Sequence, residues 1–343
     1  MNRIVFITQQ LDPAHPALAA TVPKVRALAR HVDEVVVLAD GAAPDALPPN
    51  ARVHRFAAAT KLGRGLRFES ALAHELRRRP AAVVAHMCPI YAVLAAPLAR
   101  PFGVPVILWY THWHASTTLR AAERAATVVA SVDTRSFPLA SRKVRAIGHG
   151  IDLDEFECRE RRAEPTLRVL ALGRYSPAKG LDTVLRAVRR ALDARLAVRL
   201  EAHGPTLSEL ERAHLRELER LVTELRLDDH ASLRGPVERA QVPELLGASD
   251  VLVNNMRAGA PDKVVYEAAA SCLPVFASNP VFDTLLPDEL RFEREQPTQL
   301  AERLQAFAAL DERERSRLGH TLRERVVRGH SVDGWARRIL ELA

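Results

Sequence analysis

The chain has little cysteine, lysine or aromatic content. Its three cysteines, Cys88, Cys158 and Cys272, are odd in number and widely spaced over 343 residues. No disulfide framework and no Cys-x-x-Cys metal site follows from them, and a reducing cytosol is the expected setting. Aromatic residues are 5% of the chain, and no RNA- or DNA-binding motif is present, which argues against nucleic acid as a partner. There are five lysines, Lys24, Lys61, Lys143, Lys179 and Lys263, against 44 arginines. The arginines are dispersed, so most of the +7 net charge reads as background on an ordinary surface. A lysine retained against that bias merits inspection. No long apolar signal region opens the chain, so export is not expected. Residues 81–99 lack Asp, Glu, Lys and Arg and are long enough to cross a bilayer. Pro89, Pro97 and His86 interrupt this stretch, and Pro101, Gly103 and Pro105 follow it. It reads as strand, helix and strand in a buried core.

What is present is a globular composition, 48% hydrophobic and 27% charged, in a length that suits two domains. Short β-branched runs alternate with helical patterns. Strands are expected at 4–8, 34–38, 82–85, 104–109, 127–131 and 144–147, and helices at 22–30, 67–79 and 91–99. Residues 151–165 are charged and aperiodic, and read as a linker. The alternation then restarts, with strands at 168–172, 198–202, 231–233, 250–253 and 275–277. Helices are expected at 180–192, 207–225, 242–246, 262–271, 297–310 and 312–327, and the segment 331–342 has helical spacing. The pattern predicts an α/β protein of two doubly wound, Rossmann-like domains, residues 1–150 and 166–328, facing a cleft. Ligands of such sheets bind beyond the carboxyl ends of the strands.

The strongest local signal is Gly173-Arg174-Tyr175-Ser176-Pro177-Ala178-Lys179-Gly180, between an expected strand and helix. Gly173 permits a tight turn. Arg174 and Lys179 can address one anion, and the helix start adds N–H groups and its positive dipole end. The second signal runs from Gly259 through Pro261, Asp262, Lys263 and Val264 to Glu267. Asp262 is a candidate N-cap, and Glu267 could accept hydrogen bonds from ribose hydroxyls. His86 and the run Thr111-His112-Trp113-His114 each follow a strand of the first domain. Asp152-Leu153-Asp154 has the spacing of a metal motif but lies in the linker, so no metal is assigned.

Together these segments resemble family 4 of the glycosyltransferases, retaining nucleotide-sugar-dependent enzymes of the GT-B fold. His149-Gly150-Ile151-Asp152 is similar to the family's step into the second domain. Gly173-Arg174 with Lys179-Gly180 is similar to its donor-phosphate motif, and Ser249 to Val253 to one of its strands. Residues 261–274 are similar to a Pro-x-Lys-x-x-x-Glu variant of its donor motif, with Cys272 where glycine is usual. Trp335 and the segment 329–343 resemble the helix that crosses back to the first domain.

The resemblance implies transfer of a hexosyl group from a nucleoside-diphosphate sugar, UDP-linked or similar, to a hydroxyl acceptor (a glycan, a glycolipid or a small metabolite) with retention. It implies no divalent metal and no cofactor. Arg174 and Lys179 would hold the diphosphate, with Gly173, Asp262, Lys263 and Val264 around it, and Glu267 the ribose. His112 would act near the donor sugar with Arg174 and Lys179 as the catalytic set, and His86 and His114 would face the acceptor. The usual first glutamate is replaced by Gly259, and the usual glycine-rich loop by Gln9-Gln10-Leu11-Asp12-Pro13. A cytoplasmic location is expected. Arg64, Arg67 and Arg77 to Arg79 flank Leu66, Phe68, Leu72 and Leu76; the favoured reading is a solvated helix packing its apolar face on the sheet, and the second is weak peripheral contact with the inner membrane face. The alternatives are a GT-B epimerase or nucleotide-sugar-binding protein and, from another class, a basic nucleic-acid-binding protein.

Overall fold

The computed structural model describes residues 2–12, 21–43, 47–159, 161 and 164–343. Pro13, and Glu160, Arg162 and Ala163 of the expected linker, lie outside the described residues. The chain divides into two compact units, residues 1–152 with 329–343, and residues 153–328.

The first unit runs β1 (Arg3–Leu11), α1 (Thr21–Ala29), β2 (Glu34–Ala42), β3 (Ala51–Arg55), α2 (Lys61–Leu76), β4 (Ala82–His86), α3 (Pro89–Ala99), β5 (Val106–Trp109), α4 (Thr117–Ala125), β6 (Val128–Ser131) and β7 (Val144–Ala146). Its described strands form one parallel sheet in the order β3-β2-β1-β4-β5-β6-β7. The central strands are buried throughout, because helices cover both faces; that is why they read as unbroken apolar runs. The charge-free stretch at 81–99 divides into β4 and α3. No helix among the described residues is long and apolar enough to cross a membrane.

Two elements of this unit escape the sequence pattern. The edge strand β3, Ala-Arg-Val-His-Arg, is only half buried and has the composition of a loop. The short helix α4 is rich in alanine and arginine and buries little besides Leu119 and Ala122. Helix α2 starts six residues before the expected Arg67. Gly63 and Gly65 weaken the helical signal there, while Thr60 caps the start by accepting from the Gly63 amide at 3.1 Å. Phe68, Leu72 and Leu76 are buried, whereas Leu62 and Leu66 are exposed.

The second unit runs β8 (Leu167–Leu172), α5 (Leu181–Asp193), β9 (Val198–His203), α6 (Glu209–Glu224), β10 (Ala231–Arg234), α7 (Val242–Gly247), β11 (Val251–Asn254), α8 (Lys263–Ala270), β12 (Val275–Ala277), α9 (Pro297–Ala308) and most of α10 (Glu312–His330); α11 (Val332–Glu341) follows in the chain. Its described strands form a parallel sheet in the order β10-β9-β8-β11-β12. In both sheets the strand order reverses beside the first strand, between β1 and β4 and between β8 and β11. Those are the switch points where a doubly wound sheet leaves a crevice. Helix α11 belongs to the first unit, and its Trp335 is fully buried there.

The cysteines correct one expectation. Cys158 and Cys272 form a disulfide, 114 residues apart in sequence with Cα atoms 5.0 Å apart. Spacing in sequence hides the pair, because only the fold brings Cys158 to the turn after α8. Cys88 is free and buried.

Candidate functional site

At the switch point of the second sheet, the loop after β8 is shaped by three contacts. Gly173 has φ +143°, and a Cβ there would lie 2.7 Å from Lys179 Nζ, so only glycine lets the lysine fold over the turn. Tyr175 is buried, with its hydroxyl 2.9 Å from the Ala202 carbonyl and 2.7 Å from that of Arg234. Residues Pro177–Lys179 form a single 3-10 turn, and Gly180 takes a left-handed φ of 57° before α5 begins. Lys179 therefore sits in the turn ahead of the helix and not inside it. Asn255, just beyond β11, donates to the Gly180 carbonyl at 2.9 Å and accepts from the Ser278 hydroxyl at 2.7 Å. A small cavity lined by Gly173, Arg174, Lys179, His203, Asn254 and Asn255, among others, lies at this point.

The two cations of the loop are held apart. Lys179 Nζ donates to the Asp262 carboxylate, which also accepts from Asn254 Nδ2 at 2.8 Å. Arg174 is turned toward α6, where Nη1 donates to Glu211 at 2.9 Å. Glu211 is buried and also accepts from the Leu207 amide at 2.7 Å. The expectation that Arg174 and Lys179 address one point is thus not realised in this structure. Asp262 occupies the N-cap position of α8 but makes no capping hydrogen bond, because its carboxylate is taken by Lys179 and Asn254. The first-turn amides of α8, including those of Lys263 and Val264, have no acceptor within the helix.

Glu267 lies one turn further along α8 and is buried, at 4% exposure, which excludes a solvated helix residue. Its Oε1 is 2.6 Å from Lys263 Nζ and 2.5 Å from Arg239 Nη1. Arg239 continues to Glu155 at 2.8 Å and lies 4.8 Å above the Phe156 ring. Two cations and two carboxylates alternate in one chain, so the cluster is formally neutral. Burial alone would raise the Glu267 pKa; Lys263 and Arg239 outweigh it and hold the carboxyl below its ordinary range. Burial lowers the Lys263 pKa despite Glu267. Arg239 and Glu155 were not expected from the sequence. They lie in a surface-like loop and in the linker, and only the fold brings them to α8.

In the first unit the corresponding crevice is filled by side chains. Lys24 is buried, with Nζ 3.1 Å from His86 Nε2 and 3.5 Å from the centroid of the Trp109 ring. His86 stacks on Trp109 at 4.7 Å and 10°. Burial, then the nearby Lys24 ammonium, holds the His86 pKa well below the usual value, so the ring is neutral and accepts from Lys24. His86 is the last residue of β4 and is buried, at 4% exposure, which corrects the reading of it as a loop histidine. Gly150, at φ +80°, packs directly on Lys24 and Trp335, and a Cβ there would lie 2.9 Å from Lys24 Cε.

The loop after β5 is more open. His112 Nδ1 accepts from the His114 amide at 3.0 Å, so a neutral His112 carries its proton on Nε2. The His112 amide donates to the Ser136 carbonyl at 3.3 Å. Trp113 and His114 are exposed, and Trp113 stacks on His112 with centroids 5.3 Å apart.

Comparison with known proteins places this geometry. The family model described as "Glycosyl transferases group 1" matches residues 154–325. D-inositol 3-phosphate glycosyltransferases of Streptomyces scabiei and Streptomyces avermitilis are each 30% identical over 151 residues, 40% of this chain. The match spans 33% and 32% of their lengths, so about a third of each curated relative is covered. Among solved structures, Anabaena Alr3699/HepE in complex with UDP and glucose superposes with a TM-score of 0.78 at 16% identity, over 100% of this chain and 99% of that one. Sucrose-phosphate synthase from Thermosynechococcus elongatus gives 0.75 at 19% identity, over 100% and 98%. These structural likenesses show the two-domain α/β fold of the GT-B glycosyltransferases. The chain belongs to the glycosyl transferases group 1 family.

Proposed function

We propose that this protein transfers a sugar from a nucleoside-diphosphate sugar to a hydroxyl acceptor with retention at the anomeric carbon, as a member of glycosyltransferase family 4. The observation that carries the reading is the conjunction, at one switch point, of the Gly173–Lys179 turn, the α8 start and the buried Glu267. A diphosphate entering there would displace Asp262 from Lys179 and take the ammonium, the Gly173 turn and the first-turn amides of α8 as donors. Arg174, released from Glu211, adds a second cation. Glu267, kept ionised by Lys263 and Arg239, accepts from the ribose hydroxyls. Lys263 supports the site through Glu267.

As the glycosidic bond breaks, negative charge grows on the diphosphate. Donors fixed in advance stabilise that charge more than they stabilise the ground state. We assign this role to Lys179 and Arg174 and expect no divalent ion to be required, so turnover should survive EDTA. No protein carboxylate is assigned as nucleophile. The leaving phosphate takes the acceptor proton. His112, in the loop after β5, is assigned to the donor sugar and His114 to the acceptor. A weak contact of the first unit with anionic lipid is proposed through α2, where exposed Leu62 and Leu66 lie among Lys61, Arg64 and Arg67.

Support for a nucleotide-sugar donor comes from the UDP bound to the Anabaena relative. A thermal-shift screen of UDP-, GDP-, ADP- and TDP-sugars tests the reading. One base should raise the melting temperature in the wild type and not in Lys179→Ala. No shift with any of the four would overturn it. Sugar transfer only in the presence of an acceptor would separate a transferase from an epimerase.

A further inference from the structure

Residues 155–159 and Arg161 lie against the rest of the second unit as a strap, and several contacts hold them. Phe156 is fully buried, and its carbonyl accepts from Arg323 Nη1 at 2.6 Å. Arg161 donates to the carbonyls of Ser249, Ser271 and Cys272 at 3.0, 2.9 and 3.0 Å. Glu155 pairs with Arg239, which pairs with Glu267. Between these contacts sits the disulfide from Cys158 to Cys272, which fastens the strap to the turn that ends α8.

Two features of the pair go beyond a static cross-link. Cys272 is in the left-handed region, at φ 55°, where a residue other than glycine is disfavoured. Arg79, Arg195 and Arg226 take the same conformation just past their own helices, so what sets Cys272 apart is the chemistry around its sulfur. His320 Nδ1 lies 3.5 Å from Cys272 Sγ, and Cys158 is exposed. A buried thiol beside an imidazole and an exposed partner thiol form the arrangement needed for exchange with a small disulfide. The three residues have ligand atoms within 4.8 Å of one another, as a metal site would. In this structure, however, the two sulfurs are bonded to each other and are not available as thiolate ligands.

We propose that Cys158, Cys272 and His320 form a thiol–disulfide exchange site, taking a low-molecular-weight disulfide of the glutathione type, that locks or releases the strap beneath α8. The exposed Cys158 thiolate attacks one sulfur of the small disulfide and expels the first small thiol. His320 takes the Cys272 proton, and Cys272 sulfur then attacks Cys158 sulfur and expels the second. The small S–S bond breaks and the protein S–S bond forms. Two electrons pass from the protein thiols to the small disulfide, and their two protons end on the two small thiols. Release of the strap loosens Glu155, and through Arg239 the carboxylate of Glu267. This consequence for ligand binding rests on the donor-site reading above; the exchange chemistry does not.

The test equilibrates the full chain in oxidised or reduced glutathione. It reads the linked peptides by mass spectrometry, the amide hydrogen exchange of residues 153–159, and the Kd for UDP. The oxidised protein should show a Cys158–Cys272 peptide. Reduction should speed exchange in 153–159 and weaken UDP binding by about fivefold. Cys158→Ser should match the reduced wild type in either buffer. Cys158 and Cys272 both free at every glutathione ratio would overturn the proposal. So would one equivalent of zinc retained by the reduced protein, or exchange in 153–159 that ignores the disulfide. UDP binding in neither redox state, with the peptide and exchange results as expected, would overturn the donor reading while leaving the exchange site standing.

Discussion

The two sheets of this chain reverse their strand order at the same relative place, yet the two crevices hold different chemistry. In the first unit, Lys24, His86, Trp109 and Trp335 pack together, and a neutral imidazole accepts from a buried ammonium held against indole rings. In the second unit, Lys179, Asp262, Arg239, Lys263 and Glu267 meet as ion pairs around a glycine turn and a helix start. The same topology thus supplies two places, and the side chains decide that one is packed core and the other a cluster of ion pairs, which we propose as the anion site. A cation already paired with a carboxylate can exchange that partner for a phosphate. Lys24 is instead held against Trp109 and Trp335 and bonded to the His86 imidazole.

The sharpest way to break this contrast is to remove the exchangeable cation. On the proposed role of Lys179 as a donor to developing charge, Lys179→Ala should lower kcat by about 100-fold or more while the melting temperature stays within a few degrees. Near-normal turnover would place the second crevice beside the first as structure only. Glu267→Ala should act on stability as well as on the donor, because it strands Arg239 and Lys263 without their shared carboxylate. A loss of about 3–5 kcal/mol in urea unfolding is expected. Arg174→Ala should cost less, about tenfold in kcat/KM with little change in stability, because the side chain is 55% exposed and must leave Glu211 to act.

Acid should separate the two units. Burial, reinforced by Arg338, lowers the His330 pKa from 6.5 to about 4, and His86 is shifted in the same direction. The unfolded chain binds these protons first as pH falls. The stability they confer is complete above about 6.5 and is lost on the way down through about 4, at a cost on the order of 2–3 kcal/mol for His330. Glu267, with its pKa lowered, contributes stability that is complete above about 4.5 and is lost as pH falls from there through its folded value. All three tryptophans, Trp109, Trp113 and Trp335, belong to the first unit. Tryptophan fluorescence in urea should therefore report a weaker first unit at pH 5 than at pH 7. An unchanged midpoint would contradict the buried neutral histidines.

The strands were legible because parallel strands covered on both faces leave unbroken β-branched runs, as in residues 34–38 and 82–85. Strand β3 was not, since an arginine-rich edge has the composition of a loop. Gly173 and Lys179 were readable from a turn glycine and a scarce lysine between strand and helix. Arg239, Glu155, Asn254, Asn255 and Glu211 were not, because each is contributed by a different segment and gains meaning only through the fold. Lys24 was marked by the scarcity of lysine alone, and its place between Trp109 and Trp335 needed the return of α11. The Cys158–Cys272 bond was hidden for the same reason.

The central claim is that the second crevice, through Lys179, holds a diphosphate. Calorimetric titration of UDP into the wild type and Lys179→Ala tests it most directly. The account predicts saturable one-to-one binding that weakens by about 30-fold or more in the variant, a loss of about 2 kcal/mol, with an unchanged melting temperature for the free protein. Equal affinity in the two proteins would contradict it.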